Sequence, residues 1–166
     1  MDEREQRRRM TTPDGHRTMI GVSVEVDAPP ERVWDVVADP RHLPRWERHI
    51  LSIENLPPDG LSKGSSYTVV MRFVAIRAKV RAEVLEWSPP GYACVRLSGL
   101  LDATIRTTVS PLGRSRSRLE HDVEYSFRGG ALGDLAARSL QVLGGAQLAL
   151  RIGTLGQKRS IESGAG

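Results

Sequence analysis

The sequence predicts a single α+β domain whose curved antiparallel sheet, of about seven strands, wraps around a long C-terminal helix, with two short helices after the first strand. Three observations carry this. Apolar and polar residues alternate with a period of two from Thr18 to Val26 and through most of residues 50–127. Connections inside the second stretch are short and rich in proline and glycine, so neighbouring strands pair antiparallel; there is no room for the crossover helices that parallel pairing needs. From about residue 131 the apolar spacing becomes helical.

Bulk properties agree with one soluble domain. The 166 residues suffice to bury a core, and 39% apolar with 27% charged residues is ordinary for a globular protein. No apolar run approaches the roughly 18 residues of a membrane span, so stable membrane insertion is not expected. The start, MDEREQRRRMTTPDGHR, lacks the apolar stretch of a secretory signal, which makes a cytoplasmic location the default. Cys94 is the single cysteine and has no internal disulfide partner. The net charge of +4 raises nucleic acid as a partner. Arginine is scattered, however, and there is no zinc-finger spacing, base-reading helix or basic-aromatic strand, so none is expected.

Taken in order, residues 1–17 read as a polar arm without apolar periodicity, expected to be disordered. The domain then runs from 18 to 161, and 162–166 form a flexible tail. Ile20, Val22, Val24 and Val26 give the first strand one apolar face. Pro29-Pro30 ends it and opens a helix with Val33, Trp34 and Val37 on one side. Asp39-Pro40 stops that helix, because a residue preceding proline is pushed out of the helical region. A short turn or helix, RHLPRW, closes at Trp46.

The strands SYTVVMRFV, IRAKVRAEVLEW, YACVRLS, DATIRTTV and SRLEHDVEYSF follow, separated by turns such as Lys63-Gly64, Pro89-Pro90-Gly91 and Pro111-Leu112-Gly113. Parity sorts each strand into a wet face and an apolar face. Ile76, Ala78, Val80, Ala82 and Val84 oppose Arg77, Lys79, Arg81 and Glu83; Leu119, Val123 and Phe127 oppose Glu120, Asp122 and Glu124. Cys94 has outward parity. The apolar face is covered by Leu132, Leu135, Ala136, Ser139, Leu143, Ala146 and Leu150, one stripe of the terminal helix. Gly133, Gly144, Gly145 and Gly153 are odd within a helix, each costing roughly 1 kcal/mol relative to alanine. They mark a kink, a close backbone approach or a split near Gly144-Gly145, and the sequence leaves these open.

A twisted meander around one helix encloses space unless bulky side chains fill it. The inward residues here are mostly alanine and valine, the covering helix is rich in glycine and alanine, and the chain has two phenylalanines. An apolar, ligand-sized cavity follows as the expectation.

The segments VSVEVDAPPERVWDVVADPRHLPRW and VRAEVLEWSPPGY, with the long terminal helix, resemble the START-like or Bet v 1-like (SRPBCC) superfamily over residues 18 to about 160. Within it they are most similar to bacterial polyketide cyclase/dehydrase and lipid-transport proteins. The resemblance implies a helix-grip fold holding a hydrophobic small molecule, polyketide-like, lipid or quinone, with no cofactor. It also places Trp46 and His42 near a cavity mouth. Members include cyclases of natural-product (antibiotic) biosynthesis and non-catalytic carriers, so the fold alone does not choose. A homodimer is left open.

Candidate chemistry rests on polar residues of inward parity. His121 and Tyr125 share a face and lie about 13 Å apart at roughly 3.3 Å per residue, so they bracket a ligand without touching. A neutral His121 would suit a general base, as in an aldol cyclisation, although a structural histidine bonded to its surroundings explains it as well. Tyr67, in step with Met71, and Thr107 bring hydroxyls to the same face. The expected ligand-binding set is Tyr67, Met71, Val80, Ala82, Val84, Thr107, Val123, Trp46 and Leu143, with Trp34 assigned to the core. No metal-ligand spacing is present. The resemblance also implies an inward arginine for carbonyl anchoring, whereas Arg77, Arg81, Arg96 and Arg106 fall on the wet face.

Overall fold

Alternation becomes sheet where the spacing places it. The computed structural model describes residues 6–11, 17–73, 76–142 and 144–164. Its strands are β1 (Gln6–Thr11), β2 (Thr18–Val26), β3 (Ile50–Glu54), β4 (Ser66–Phe73), β5 (Ile76–Ser88), β6 (Tyr92–Ser98), β7 (Leu101–Pro111) and β8 (Ser117–Phe127). They form one antiparallel sheet in the order β1-β2-β8-β7-β6-β5-β4-β3. The meander from β3 to β8 thus returns to pair with β2, residue Val22 facing His121. The seven strands from Thr18 onward make the expected sheet.

An eighth strand is a correction. Gln6–Thr11 fall within the arm expected to be disordered, yet they pair with β2, Gln6 opposite Ser23 and Thr11 opposite Thr18. Backbone groups on an open sheet edge recruit a strand without any apolar pattern, so periodicity does not register it.

Between β2 and β3 lie α1 (Pro30–Val37), a 3₁₀ turn (Pro40–His42) and α2 (Leu43–Trp46). Pro30 occupies the first turn of α1, which buries Val33, Trp34 and Val36. The Asp39 carboxylate accepts from the Arg41 backbone N–H at 3.0 Å and so caps the 3₁₀ turn.

The terminal helix is two helices, α3 (Ala131–Val142) and α4 (Gly145–Ser163). Gly144 and Gly145 have φ of 96° and 82°, a left-handed backbone that glycine adopts without penalty. With the break, α3 is free of the phase of α4, and its buried stripe is Gly133, Ala136, Ser139 and Leu140. Leu132 and Leu135, expected to face the sheet, are exposed. α4 buries Gly153, Thr154, Gln157 and Ile161 and is tied to β2. Gln147 Nε2 donates to the Gly21 carbonyl at 3.0 Å, Lys158 Nζ to the Glu25 carbonyl at 2.8 Å, and the Asp27 N–H to the Glu162 carboxylate at 3.0 Å.

The core divides in two. One cluster joins β2, α1 and α4 through Val22, Val26, Val33, Trp34, Leu119 and Ile161. The other lies against β4–β7 and α3, with Tyr67, Met71, Phe73, Val80, Leu97 and Ala136.

Candidate functional site

Between the two clusters lies a cavity of about 240 Å³, walled by the apolar face of the sheet and by α1, α2, α3 and α4. Its lining is mostly apolar. Small residues such as Ala93, Ala103, Ala146 and Ala149 leave the space that larger ones would fill. Among the described residues no arginine lines it.

Of the residues expected at the site, His121, Tyr125, Tyr67, Met71, Thr107 and Val123 line the cavity together. Val80, Ala82 and Val84 have the expected inward parity but do not line it. They are 0%, 0% and 1% exposed, their surface taken up by neighbours such as Val69, Tyr67, Leu97 and Val95 across the ladders. Trp46 also misses it and lies against α4, where a Cβ on Gly156 would come within 2.9 Å of its ring. His42 stands edge-on to Trp46, with ring centroids 5.9 Å apart, and is not a lining residue either. Leu143 lies outside the described residues. Trp34, assigned to the core, belongs to the core cluster and also lines the cavity. Its ring meets Trp87 edge-on at 5.3 Å. A bulge between Val84 and Glu86 lets both Val84 and Trp87 point inward although they are three residues apart. Cys94 is off the lining, as its parity implies, but it is buried.

The polar groups are few and specific. His121 is buried, and both ring nitrogens are bonded: Nδ1 to Thr107 Oγ1 at 2.9 Å and Nε2 to Gln157 Oε1 at 2.8 Å. A carboxamide oxygen only accepts, so Nε2 carries the hydrogen and Nδ1 accepts from the Thr107 hydroxyl. Burial holds the imidazole below its ordinary pKa, with the Gln157 bond pulling weakly the other way, so the ring is neutral. Thr107 therefore offers its oxygen lone pairs to the cavity. Gln157, reaching in from α4, was not among the expected residues. Burial pushes the Tyr67 hydroxyl up to about 12.

Glu47, the residue that ends α2, was also not expected. Its carboxyl reaches the cavity, and loss of water raises its pKa to about 8. Glycine makes the space for it: a Cβ on Gly153 of α4 would sit 1.9 Å from Glu47 Oε1. A glycine at position 153, unfavourable within a helix, is accounted for by this close approach.

The model of a family described as polyketide cyclase/dehydrase and lipid transport matches residues 17–149. The chain belongs to this polyketide cyclase/dehydrase and lipid-transport family. Solved structures repeat the fold. The Zhui aromatase/cyclase of Streptomyces sp. R1128 superposes with a TM-score of 0.66 at 14% identity, covering 90% of this chain and 94% of that one. A START superfamily protein of Mycobacterium smegmatis gives 0.55 at 20% identity, covering 82% and 98%. Norcoclaurine synthase of Thalictrum flavum, solved with dopamine and hydroxybenzaldehyde, gives 0.62 at 14% identity, covering 90% and 89%. At such identities the likeness establishes the fold, a helix-grip α+β architecture, and nothing finer. No curated protein matches the sequence. Among the described residues no helix is long and apolar enough to cross a membrane.

Proposed function

We propose that this family member holds a hydrophobic small molecule in the cavity and acts on it as a cofactor-free cyclase or dehydrase of natural-product type. The observation that carries this reading is an apolar chamber holding a small set of acid–base groups: the Glu47 carboxyl and the Thr107–His121–Gln157 chain. The chemistry of a cyclase needs a base for an acidic C–H between carbonyls and a donor for the oxygen that gains charge. A neutral His121, acting through Thr107 or directly after a rotation of that hydroxyl, supplies the first. Tyr67, Tyr125 or Glu47 supplies the second.

A carrier that binds a lipid, quinone or natural product unchanged is the second reading. It is favoured by the occupation of both His121 nitrogens, which suits a fixed structural ring. Native mass spectrometry of the purified protein identifies the molecule retained, and incubation with that molecule separates turnover from storage. A Val123→Trp variant that stays folded should lose the molecule, because Val123 lines the cavity. Retention by that variant would place the bound molecule elsewhere.

A further inference from the structure

Glu47 is the single carboxyl-bearing residue lining the cavity among the described residues. Its backbone is held where α2 ends, the N–H donating to the Leu43 carbonyl at 2.9 Å. Its side chain is held by the contour of α4, since Oε1 occupies space that only a glycine at 153 leaves open. No described residue offers the carboxyl a hydrogen bond or a counter-charge; desolvation is the sole influence on its titration. Glu47 is half-buried, and a carboxyl without a partner in an apolar chamber is costly unless something that enters the chamber satisfies it.

We propose that Glu47 is the polar anchor of the ligand, its carboxyl O–H donating to a carbonyl oxygen of a hydrophobic ketone. The inference rests on the reading that the cavity holds a hydrophobic small molecule, and it adds the functional group such a molecule presents. Other ligand chemistries fit less well. An anionic ligand meets no cation on the described lining. A basic amine would need Glu47 ionised with nothing else to solvate the pair. A neutral donor meeting a neutral acceptor avoids both costs.

Ionisation of Glu47 should abolish the anchor, so the groups around it matter. His49 on β3, Tyr67 on β4, and His121 and Tyr125 on β8 share the cavity. The lining part of α4 offers Leu150, Thr154 and Gln157, none of them ionisable, while Arg151 and Lys158 are not lining residues. His42 of the 3₁₀ turn lies 3.9 Å from Asp39. Burial raises Glu47 to about 8 and Tyr67 to about 12 and lowers His121 from its ordinary value, so between pH 7 and 9.5 Glu47 ionises while Tyr67 and His121 stay neutral.

The test uses two dyes on the full chain. One is 6-propionyl-2-(dimethylamino)naphthalene, a ketone whose emission reports hydrogen bonding to its carbonyl; the other is N-phenyl-1-naphthylamine, which has no carbonyl. The ketone should bind about tenfold more tightly at pH 7 than at pH 9.5, the size of one good hydrogen bond. The naphthylamine should be nearly insensitive to pH. Glu47→Leu should weaken the ketone about tenfold at pH 7 and leave the naphthylamine within about twofold. Glu47→Gln keeps an N–H donor, so it should retain ketone binding and flatten its pH profile; this arm decides the matter if Glu47→Leu does not fold. Equal losses of both dyes in Glu47→Leu, or a pH profile unchanged in Glu47→Gln, would overturn the anchor while leaving the cavity reading intact. If neither dye binds the wild-type protein, the hydrophobic-ligand reading fails and the anchor falls with it.

Discussion

The two halves of β8 obey one alternation and end in opposite environments. Ser117, Leu119 and His121 are buried, at 0%, 0% and 7% exposure. Val123, Tyr125 and Phe127, on the same face, are part-exposed and line the cavity. What differs is the cover. Over the first half α4 is bolted to β2 and the residue after it by polar bonds at Gly21, Glu25 and Asp27, and Ser117 Oγ donates to the Ala28 carbonyl at 2.7 Å. Over the second half the helix is interrupted at Gly144-Gly145 and α3 presents small residues to the sheet. A cavity in this fold thus records where a helix loses its grip on the sheet, since the strand pattern itself does not change.

The contrast should show most strongly in truncations. Leu119→Ala ought to cost about 2–5 kcal/mol, because the site is fully packed and cannot collapse. Val123→Ala should cost less than about 1 kcal/mol, since part of that side chain already faces empty space. Denaturant unfolding of the two variants measures the gap, and equal losses would mean that the two halves are packed alike.

His121 sits at the boundary. His121→Ala orphans Thr107 and Gln157 and should lower stability by about 1–3 kcal/mol. If the ring is a general base, turnover of the identified ligand should also fall by roughly 100-fold or more; loss of stability alone assigns the ring to structure. Acid provides an independent check. The folded pKa lies below the unfolded value of about 6.5, so the stability from a neutral His121 is complete above that pH and fades as pH falls below it. Thermal melts of His121→Gln should lack that part of the acid loss.

Glu47 has the opposite sign. Its folded pKa of about 8 exceeds the unfolded value, so its contribution is fully present below the unfolded carboxylate range and is lost as pH rises through about 8. Glu47→Gln should therefore melt higher than wild type at pH 8.5, by a margin that shrinks toward pH 4.5. A constant offset across that range would show that the folded pKa of Glu47 is not raised.

The smallest effect is expected at the open edge. Removing residues 1–15 deletes β1, whose edge hydrogen bonds contribute about 0.5–1.5 kcal/mol each against an ordering cost of about 1–2 kcal/mol per residue. The melting temperature should move by no more than a few degrees. A larger fall would mean that the arm packs against the domain through more than its backbone.

Most of the sheet was legible because strand alternation is a local signal. Val69 and Met71, or Leu119 and His121, take their faces from a period of two that needs no knowledge of the partner strand. Proline and glycine punctuation likewise located α1 and the meander turns, and the small inward residues pointed to a void. That same parity overreached at Val80, Ala82 and Val84, because it gives the face of a side chain and not whether its neighbours cover it. Trp34 keeps its place in the core and also lines the cavity, whereas Trp46, expected at the site, packs against α4 instead. Parity and spacing say nothing of how α2 lies on a helix from the far end of the chain.

Glu47 and Gln157 were beyond the reach of the sequence. Glu47 follows a single helical turn, where no period exists, and its burial depends on a glycine contributed from the opposite end of the chain. Gln157 reads as one polar residue on an amphipathic helix until α4 docks on β2 and brings its carboxamide to His121. The sequence by itself determined which residues alternate, where the backbone must turn and that the interior would be lined by small groups, because these follow from contacts a few residues apart. Only the tertiary structure decided which acid loses its water and which hydrogen bonds lock the histidine, because desolvation and bonding between distant residues exist only once the helices lie on the sheet.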